Sequence, residues 1–502
     1  MNIILLTPSR RFIANRFGLG YQVPLGLVLL GGPLLDAGHQ VRLIDNDVLG
    51  WTDQQLVQEL AKAPPDCLLL GHTGSTAAHP VAMQTARHIR QALPQIRIIY
   101  GGVYPTYAAQ AIMQEHPAVD VIVHGEGEAT IVELIAALAQ GSSLAAVKGI
   151  TWRNGCTAQT NPMRAPIIDL DQYRPGWELV DWPAYQLFGF GRAAGMQFSR
   201  GCTLRCTYCG QWSFWRRWRH RSPENFADEL ETLVRDYGVR IVWLADEHFA
   251  ADRAAAHAAL TAVAARKLDL SLNLNLTAAA VVRDADLLSL YKQAGVDNVI
   301  MGVEALNDST VAKVHKNNPF AVSQEAVRLL RHHGIVSLVN LIYGLEDETP
   351  ASLWQTFQRA LELDADVLNA VYITPHHWTT AGQAVPTTQI IEPDQRQWTY
   401  RNQVVQTPHL RPWQLFCGVK VTEALFHLRP KALWRMIAAP DAHYRRLLRA
   451  YFATGVRVVG AEIAEFVIRS PIAQAWPRMA KQPNKRKARH FPALAKFDKM
   501  HP

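Results

Sequence analysis

The chain has 502 residues, 49% hydrophobic and 19% charged, with a formal net charge of +8. That composition fits a globular protein of roughly two to four domains. No apolar stretch reaches the ~18 residues needed to span a bilayer, and six cysteines, three of them grouped, exclude a disulfide framework and read as reduced thiols. The N-terminus Met1-Asn2-Ile3-Ile4 carries neither a basic leader nor a cleavage site, so a cytoplasmic protein is expected.

The first part of the chain alternates strand and helix. Asn2 to Leu6 is a continuous aliphatic strand. A helix over 26–37, closed by Gly38, precedes a strand over 41–44. A helix over 52–63 stops at Pro64-Pro65. Strands over 67–70, 96–100 and 121–123 follow, with a helix over 81–93 between the first two. This order predicts a doubly wound, Rossmann-like parallel sheet over residues 1–144, and such sheets bind ligands beyond the carboxyl ends of their strands. The small residues cluster there: Gly71 to Thr76 with Ser75, the pair Gly101-Gly102, and Gly125-Glu126. Glycines let a backbone approach a bulky ligand closely. By composition alone these loops suit a nucleotide or flavin site, or are merely tight turns.

Residues 145–190 read as a connector, with a short hairpin over 149–154 and prolines 162, 166, 175 and 183. A further strand–helix series fills 191–391. Strands are expected before Cys202 and over 241–244, 270–276, 298–303, 336–343 and 367–374. Polar groups stand at their carboxyl ends, where barrel enzymes keep their sites: Asp246-Glu247-His248, Glu304 and Gly344. Six such units predict a partial (β/α)6 barrel. From 392 the pattern turns helical, over 398–405, 413–428, 430–437, 441–451 and 461–468, and these helices are expected to cap the barrel mouth against water. The tail Arg478 to Lys499 is basic. It suits nucleic acid, an anionic membrane surface, or solvent.

The stretch Phe198-Ser-Arg-Gly-Cys202-Thr-Leu-Arg-Cys206-Thr-Tyr-Cys209 sets three thiols at C-x3-C-x2-C spacing. Three thiolates hold three irons of a four-iron cluster and leave the fourth open to a substrate or cofactor. Zinc is the alternative, but a structural zinc wants four ligands, and His220 stands at an unusual spacing for the fourth. Just downstream, Trp212 to Arg221 holds three Trp, one Phe and four Arg, Trp215 and Arg216 among them. Aromatic faces and guanidinium groups grip a flat, carboxylate-bearing ligand. They also stack on nucleic-acid bases, or simply pack between domains.

The cysteine motif, with Tyr208 before its last cysteine, resembles the radical S-adenosylmethionine (SAM) superfamily. That resemblance implies a 4Fe-4S cluster on Cys202, Cys206 and Cys209, whose open iron chelates SAM. It also implies that SAM is cleaved to methionine and a 5′-deoxyadenosyl radical. Tyr208, Glu247 and Glu304 would sit by these cofactors, Glu247 and Glu304 as strand-end acids that contact SAM, while Gly344 and Glu348-Thr349 match a glycine segment after the fifth strand. The preceding domain is similar to the cobalamin-binding module of the B12-dependent class, which assigns Ser75, Thr76, Gly101, Gly102, Gly125 and Glu126 to the corrin. The D-x-H-x-x-G motif is absent: Asp45-x-Asp47-x-x-Gly50 has aspartate for histidine, so a histidine–cobalt bond is not supported. His72 and His79 lie nearest the expected pocket.

Several segments are similar to one family, the anaerobic oxidative cyclases that act on magnesium-protoporphyrin IX monomethyl ester. They are Gly71 to Pro80, Gly101 to Thr106, Tyr208 to Trp212 with Trp218 to Arg221, Gly344 to Thr349, Thr374 to Trp378 and Arg411 to Trp413. The resemblance implies an oxidoreductase of bacteriochlorophyll synthesis, a porphyrin substrate and an external flavodoxin- or ferredoxin-type electron donor. Trp215 and Arg216 would grip the tetrapyrrole, and His376 or His377 would contact magnesium or act in proton transfer; a loop hydrogen bond is the plainer role for each histidine. The alternatives are a cobalamin-dependent radical SAM C-methyltransferase and a cobalamin- or redox-responsive nucleic-acid-binding regulator. The open-iron triad argues against a pure regulator, and so against nucleic acid as a partner. Peripheral membrane contact through the tail stays open.

Overall fold

The computed structural model describes residues 1–9, 20–72, 76–187, 189–313, 316, 318–345 and 348–469. Its first sheet contains β1 (Asn2–Thr7), β2 (Gln40–Asp45), β3 (Cys67–Leu70), β4 (Arg97–Gly101), β5 (Val121–Val123), β6 (Ile150–Asn154) and β7 (Thr157–Thr160). The strand order is β2-β1-β3-β4-β5-β6-β7, and the first five pair in parallel. The aliphatic run in β1 has a plain cause. Ile3 and Leu5 enter one core, Ile4 and Leu6 the other, so both faces of the strand are buried under helices. The hairpin expected over 149–154 is longer: those residues supply only its first strand, β6, which pairs with β7 and extends this sheet antiparallel to β5.

The second sheet contains β8 (Gln186–Leu187), β9 (Gly191–Met196), β12 (Ile241–Leu244), β13 (Ser271–Leu276), β14 (Val296–Glu304), β15 (Val336–Tyr343) and β16 (Val367–Tyr372). A separate two-stranded ribbon, β10 (Ser199–Arg200) with β11 (Arg219–His220), lies between β9 and β12 in sequence. The order β16-β15-β14-β13-β12-β9-β8 gives the six parallel strands of the expected partial barrel, with β8 antiparallel at one edge. Alternation sorts the faces. Leu272, Leu274 and Leu276 join the main core, while Asn273 and Asn275 take the opposite face of β13.

The C-terminal region departs from expectation in three ways. Residues 398–405 form no helix; a short turn at Gln395–Gln397 leads into a bridge between Ile390 and Val405. The two last expected helices are one, Ala442–Arg469, since no proline interrupts it. That helix floors the barrel instead of capping its mouth. Tyr444, Leu447 and Leu448 pack with Val336 and Val367, the first residues of β15 and β16. Tyr451 Oη donates to Asn273 Oδ1 at 2.8 Å, and His443 Nε2 meets Asp297 Oδ2 at 2.7 Å, both near strand amino ends. The basic tail lies outside the described residues.

Candidate active site between the two sheets

The cysteine loop is held at its base. Asp246, just past β12, accepts from Phe198 N at 2.9 Å, Ser199 N at 2.6 Å and Ser199 Oγ at 2.5 Å. Burial nevertheless pushes its carboxyl up to about 6. The ribbon β10–β11 then closes the loop over 201–218. Gly201, at φ +98°, is needed there, because a Cβ would strike the carbonyl of Arg217. Cys206 is buried, and Cys202 and Cys209 half-buried. Burial raises all three thiols, Cys209 to about 12, and their mutual charges add to the rise at Cys202 and Cys209. Among the described residues no three His, Cys, Asp or Glu side chains converge as ligands of one metal ion. Three sulfurs on three separate irons need no such convergence. His220 is engaged with the Arg221 carbonyl at 2.8 Å.

The strand-end acids surround this loop. Glu304 closes β14 with φ +68°, after a register shift at Gly302. It pairs with Lys316 Nζ at 2.6 Å. A Cβ at Gly302 would occupy the space taken by that pair. Tyr208 lies between Cys206 and Glu304, and its hydroxyl is raised far above the usual range, by burial first and then by these neighbours. Lys316 lowers the thiols of Cys202 and Cys206. Glu247 is pushed up to about 7 by burial; Trp215 works against the shift and Asp246 adds to it. His248 is lowered to about 4 by burial, and its Nδ1 has no partner among the described residues. Glu348 and Thr349 have local roles: Gly344 N donates to Glu348 Oε2, and Thr349 caps the helix Pro350–Leu363.

The first sheet presents its carboxyl edge to the same space. Gly102 (φ +112°) and Gly125 (φ +64°) adopt left-handed conformations, and a Cβ at either would meet nothing. Thr76 is buried and bonds His376 Nδ1 at 2.8 Å; Ser75 lies outside the described residues. His72 Nε2 and His79 Nδ1 both meet Tyr100 Oη, at 2.8 and 3.3 Å. His79 also stacks on Tyr104. Asp45, in place of the absent motif, caps a short helix and accepts from Tyr185 Oη at 2.8 Å.

A seam joins the two halves. His376 bonds Thr76 through Nδ1 and Tyr400 Oη through Nε2, at 2.7 Å, so neither ring nitrogen is left for magnesium. Burial, with His377 beside it, lowers its pKa to about 3. His377, lowered by burial to about 4, sits edge-on to Tyr104. Trp378 stacks on Tyr107 with its indole against Gly210, where a Cβ would clash. Tyr107 Oη meets Ser213 Oγ at 2.6 Å.

The expected corrin contact Glu126 belongs to this seam instead. Arg200 reaches Glu126 at 2.8 Å and Glu128 at 2.5 Å; Arg219 reaches Glu126 at 2.8 Å. All four side chains are buried, and Ile167 N also donates to Glu126, so its carboxylate is spent on packing. The Trp/Arg stretch therefore divides. Trp218, Arg219 and Arg221 pack inside, Arg221 against Glu229 at 2.6 Å. Trp215 lies under Arg200 on the helix Gln211–Trp215, and Arg216 is exposed. Gln211 Oε1 and Trp212 Nε1 are buried without partners among the described residues. Sequence reasoning missed Arg200, Lys316 and Trp378; only the glycine beside Cys209, which makes room for Trp378, hinted at close packing.

The chain matches the Radical SAM superfamily over residues 196–360 and the B12 binding domain over residues 18–135. It is 40% identical to the anaerobic magnesium-protoporphyrin IX monomethyl ester cyclase of Synechocystis sp. over 93% of each chain. An uncharacterized methyltransferase of Pyrococcus horikoshii is 26% identical over 90% of this chain and 99% of its own. A solved radical SAM methyltransferase from Kitasatospora setae, TsrM, superposes with TM-score 0.68 at 16% identity, over 92% of this chain and 100% of that one. The fold and site define a B12-binding radical SAM enzyme, an oxidoreductase whose cofactors are a 4Fe-4S cluster, SAM and cobalamin. Within that class the chain belongs to the family of the anaerobic magnesium-protoporphyrin IX monomethyl ester cyclases.

The residues present fit those groups. The cysteine triad offers three sulfurs to the cluster. The orphaned polar atoms of Gln211 and Trp212 lie on the short helix that follows Cys209, and that of His248 lies just past β12, and the open space above Gly102 and Gly125 suits a flat corrin edge.

Proposed function

We propose that this enzyme forms the isocyclic fifth ring of (bacterio)chlorophyll from magnesium-protoporphyrin IX 13-monomethyl ester, without molecular oxygen. The observation that carries this reading is the 40% identity to the Synechocystis cyclase, sustained over 93% of both chains. When bound, the cofactors supply a 5′-deoxyadenosyl radical and a cobalt centre for electron transfer. The ester arm of the substrate loses hydrogen from its methylene, takes its oxygen from water and closes onto the macrocycle. A flavodoxin- or ferredoxin-type protein would supply the electrons that start SAM cleavage, and SAM, reduced to methionine and 5′-deoxyadenosine, would be the oxidant that takes up the hydrogen the arm loses.

The chain's own groups do the holding. Cys202, Cys206 and Cys209 carry the cluster. Glu304, fixed by Lys316, and Glu247, half-buried beside Trp215, face the SAM side of the barrel mouth. Burial pushes the Glu247 carboxyl up to about 7, so near neutrality it can accept from or donate to a ribose hydroxyl. Gly101, Gly102, Gly125 and Thr76 form the corrin side, to which the sequence alone assigns Ser75. The seam His376–Trp378 excludes water between the two. Trp215 and exposed Arg216 receive the substrate and its free propionate.

A second reading, C-methylation of a tetrapyrrole or other small molecule, is favoured by the near full-length similarity to the Pyrococcus methyltransferase. One experiment separates them. Reconstituted protein is incubated anaerobically with SAM, cobalamin and the porphyrin ester in 18O-labelled water, and products are weighed by mass spectrometry. Gain of labelled oxygen with loss of hydrogens supports the cyclase. A product heavier by one methyl group overturns it.

A further inference from the structure

The helices Pro412–His427 and Ala442–Arg469 run antiparallel, with Phe416 stacked on Phe466 at 3.9 Å and Lys420 paired with Glu462. Positions 416, 420, 462 and 466 thus fill the seam between them. The next residue along each helix turns to one common side, because antiparallel right-handed helices rotate in opposite senses seen from one end. That side is apolar. Val421 and Leu425 on one helix, Leu428 just past its end, and Val456, Ile463 and Val467 on the other are each more than two-fifths exposed. Trp434 and Ile437, on the connecting helix Pro430–Ala438, are about two-thirds exposed. The opposite side of the first helix is already spent on the barrel core through Leu415, Val419 and Phe426. These helices are therefore apolar on two faces, and solvation explains only one arrangement of that kind: a partner.

Charge identifies the partner. Within 411–469, Arg411, Lys431, Arg446, Arg449 and Arg457 are exposed, while Glu423, Glu462 and Glu465 are buried and Asp441 is the one exposed carboxylate. An apolar face on helices whose exposed charges are nearly all cations matches a bilayer with anionic headgroups, acyl chains meeting the aliphatics and phosphates the cations. A second copy of this chain would bring the same cations and repel. Nucleic acid would leave the aliphatic face unused. No helix among the described residues is long and apolar enough to cross a membrane, which fits contact in the plane of the surface.

We propose that this three-helix face docks reversibly on anionic lipid surfaces, with Trp434 and Ile437 entering the boundary between headgroups and acyl chains. Full-length protein is tested by flotation with phosphatidylcholine vesicles, with and without phosphatidylglycerol, over a salt series. It floats with the anionic vesicles only, and high salt weakens binding. The double variant Leu425→Glu/Trp434→Glu, both positions exposed, partitions about tenfold less. Arg446→Glu/Arg449→Glu, both exposed positions, partitions less by about tenfold or more. Unchanged helical circular dichroism and thermal unfolding in both variants show that they are folded. Absence of flotation on anionic vesicles overturns the proposal, as does flotation that ignores the Leu425→Glu/Trp434→Glu variant. A dimer that this variant splits would assign the face to a second copy and overturn it too.

Discussion

Replacing Arg200 with methionine removes the cation that two buried carboxylates share. Its guanidinium lies 2.8 Å from Glu126 and 2.5 Å from Glu128. Glu126 keeps Arg219 at 2.8 Å, so the damage falls on Glu128, whose ion-pair partner among the described residues is Arg200. An uncompensated buried charge costs about 3–5 kcal/mol. The variant Arg200→Met/Glu128→Gln removes that charge and leaves a smaller loss, so the two changes couple by about 2 kcal/mol or more. Urea unfolding of the metal-free protein, with the four members of the cycle compared, reads this coupling. Arg200 stands two residues before Cys202 and joins the cysteine loop to the first sheet. The single variant therefore loads iron and binds cobalamin, yet cleaves SAM more slowly because the loop is no longer seated. A stability loss within about 0.5 kcal/mol, or no recovery on adding Glu128→Gln, refutes the reasoning.

Cys206→Ala abolishes SAM cleavage and lowers iron content while cobalamin still binds; cleavage that survives would remove Cys206 from the cluster. In Gly101→Val the added Cβ meets Val123 at ordinary contact, 3.7 Å. It weakens cobalamin binding about tenfold or more by filling space at the corrin edge, read by titration of the visible spectrum, and an unchanged affinity would displace that pocket. His376, lowered to about 3, is neutral in the folded protein and becomes charged first in the unfolded chain. Its contribution is full above its ordinary pKa near 6.5 and is lost as pH falls toward about 3, amounting to about 2 kcal/mol by pH 5. His376→Gln therefore flattens the acid limb of stability against pH by one proton, and parallel limbs in urea titrations would contradict the burial.

Much of this site was legible because the chemistry is local in the chain. Three cysteines within eight residues, a glycine pair after an aliphatic strand and alternating leucine and asparagine in β13 each announce their place through spacing. What escaped depends on long-range pairing. Arg200 meets Glu126 and Glu128 from more than seventy residues away, and nothing at either end marks the partner. Lys316 is one lysine among many until the left-handed turn at Glu304 brings the two together. Glu126 and His376 lay in the right segments but act as fasteners, since burial and hydrogen bonding are invisible in composition. The helix Ala442–Arg469 shows an apolar face in sequence without saying which end of the barrel it covers, so floor and mouth were exchanged.

The whole account rests on an iron that the protein leaves without a sulfur. Electron paramagnetic resonance of the dithionite-reduced, anaerobically reconstituted protein, recorded with and without SAM, addresses it directly. The expected result is about four irons per chain and a cluster signal that shifts when SAM is added, and that no longer forms in Cys206→Ala. Bound zinc in place of iron, or a cluster signal indifferent to SAM, would contradict it.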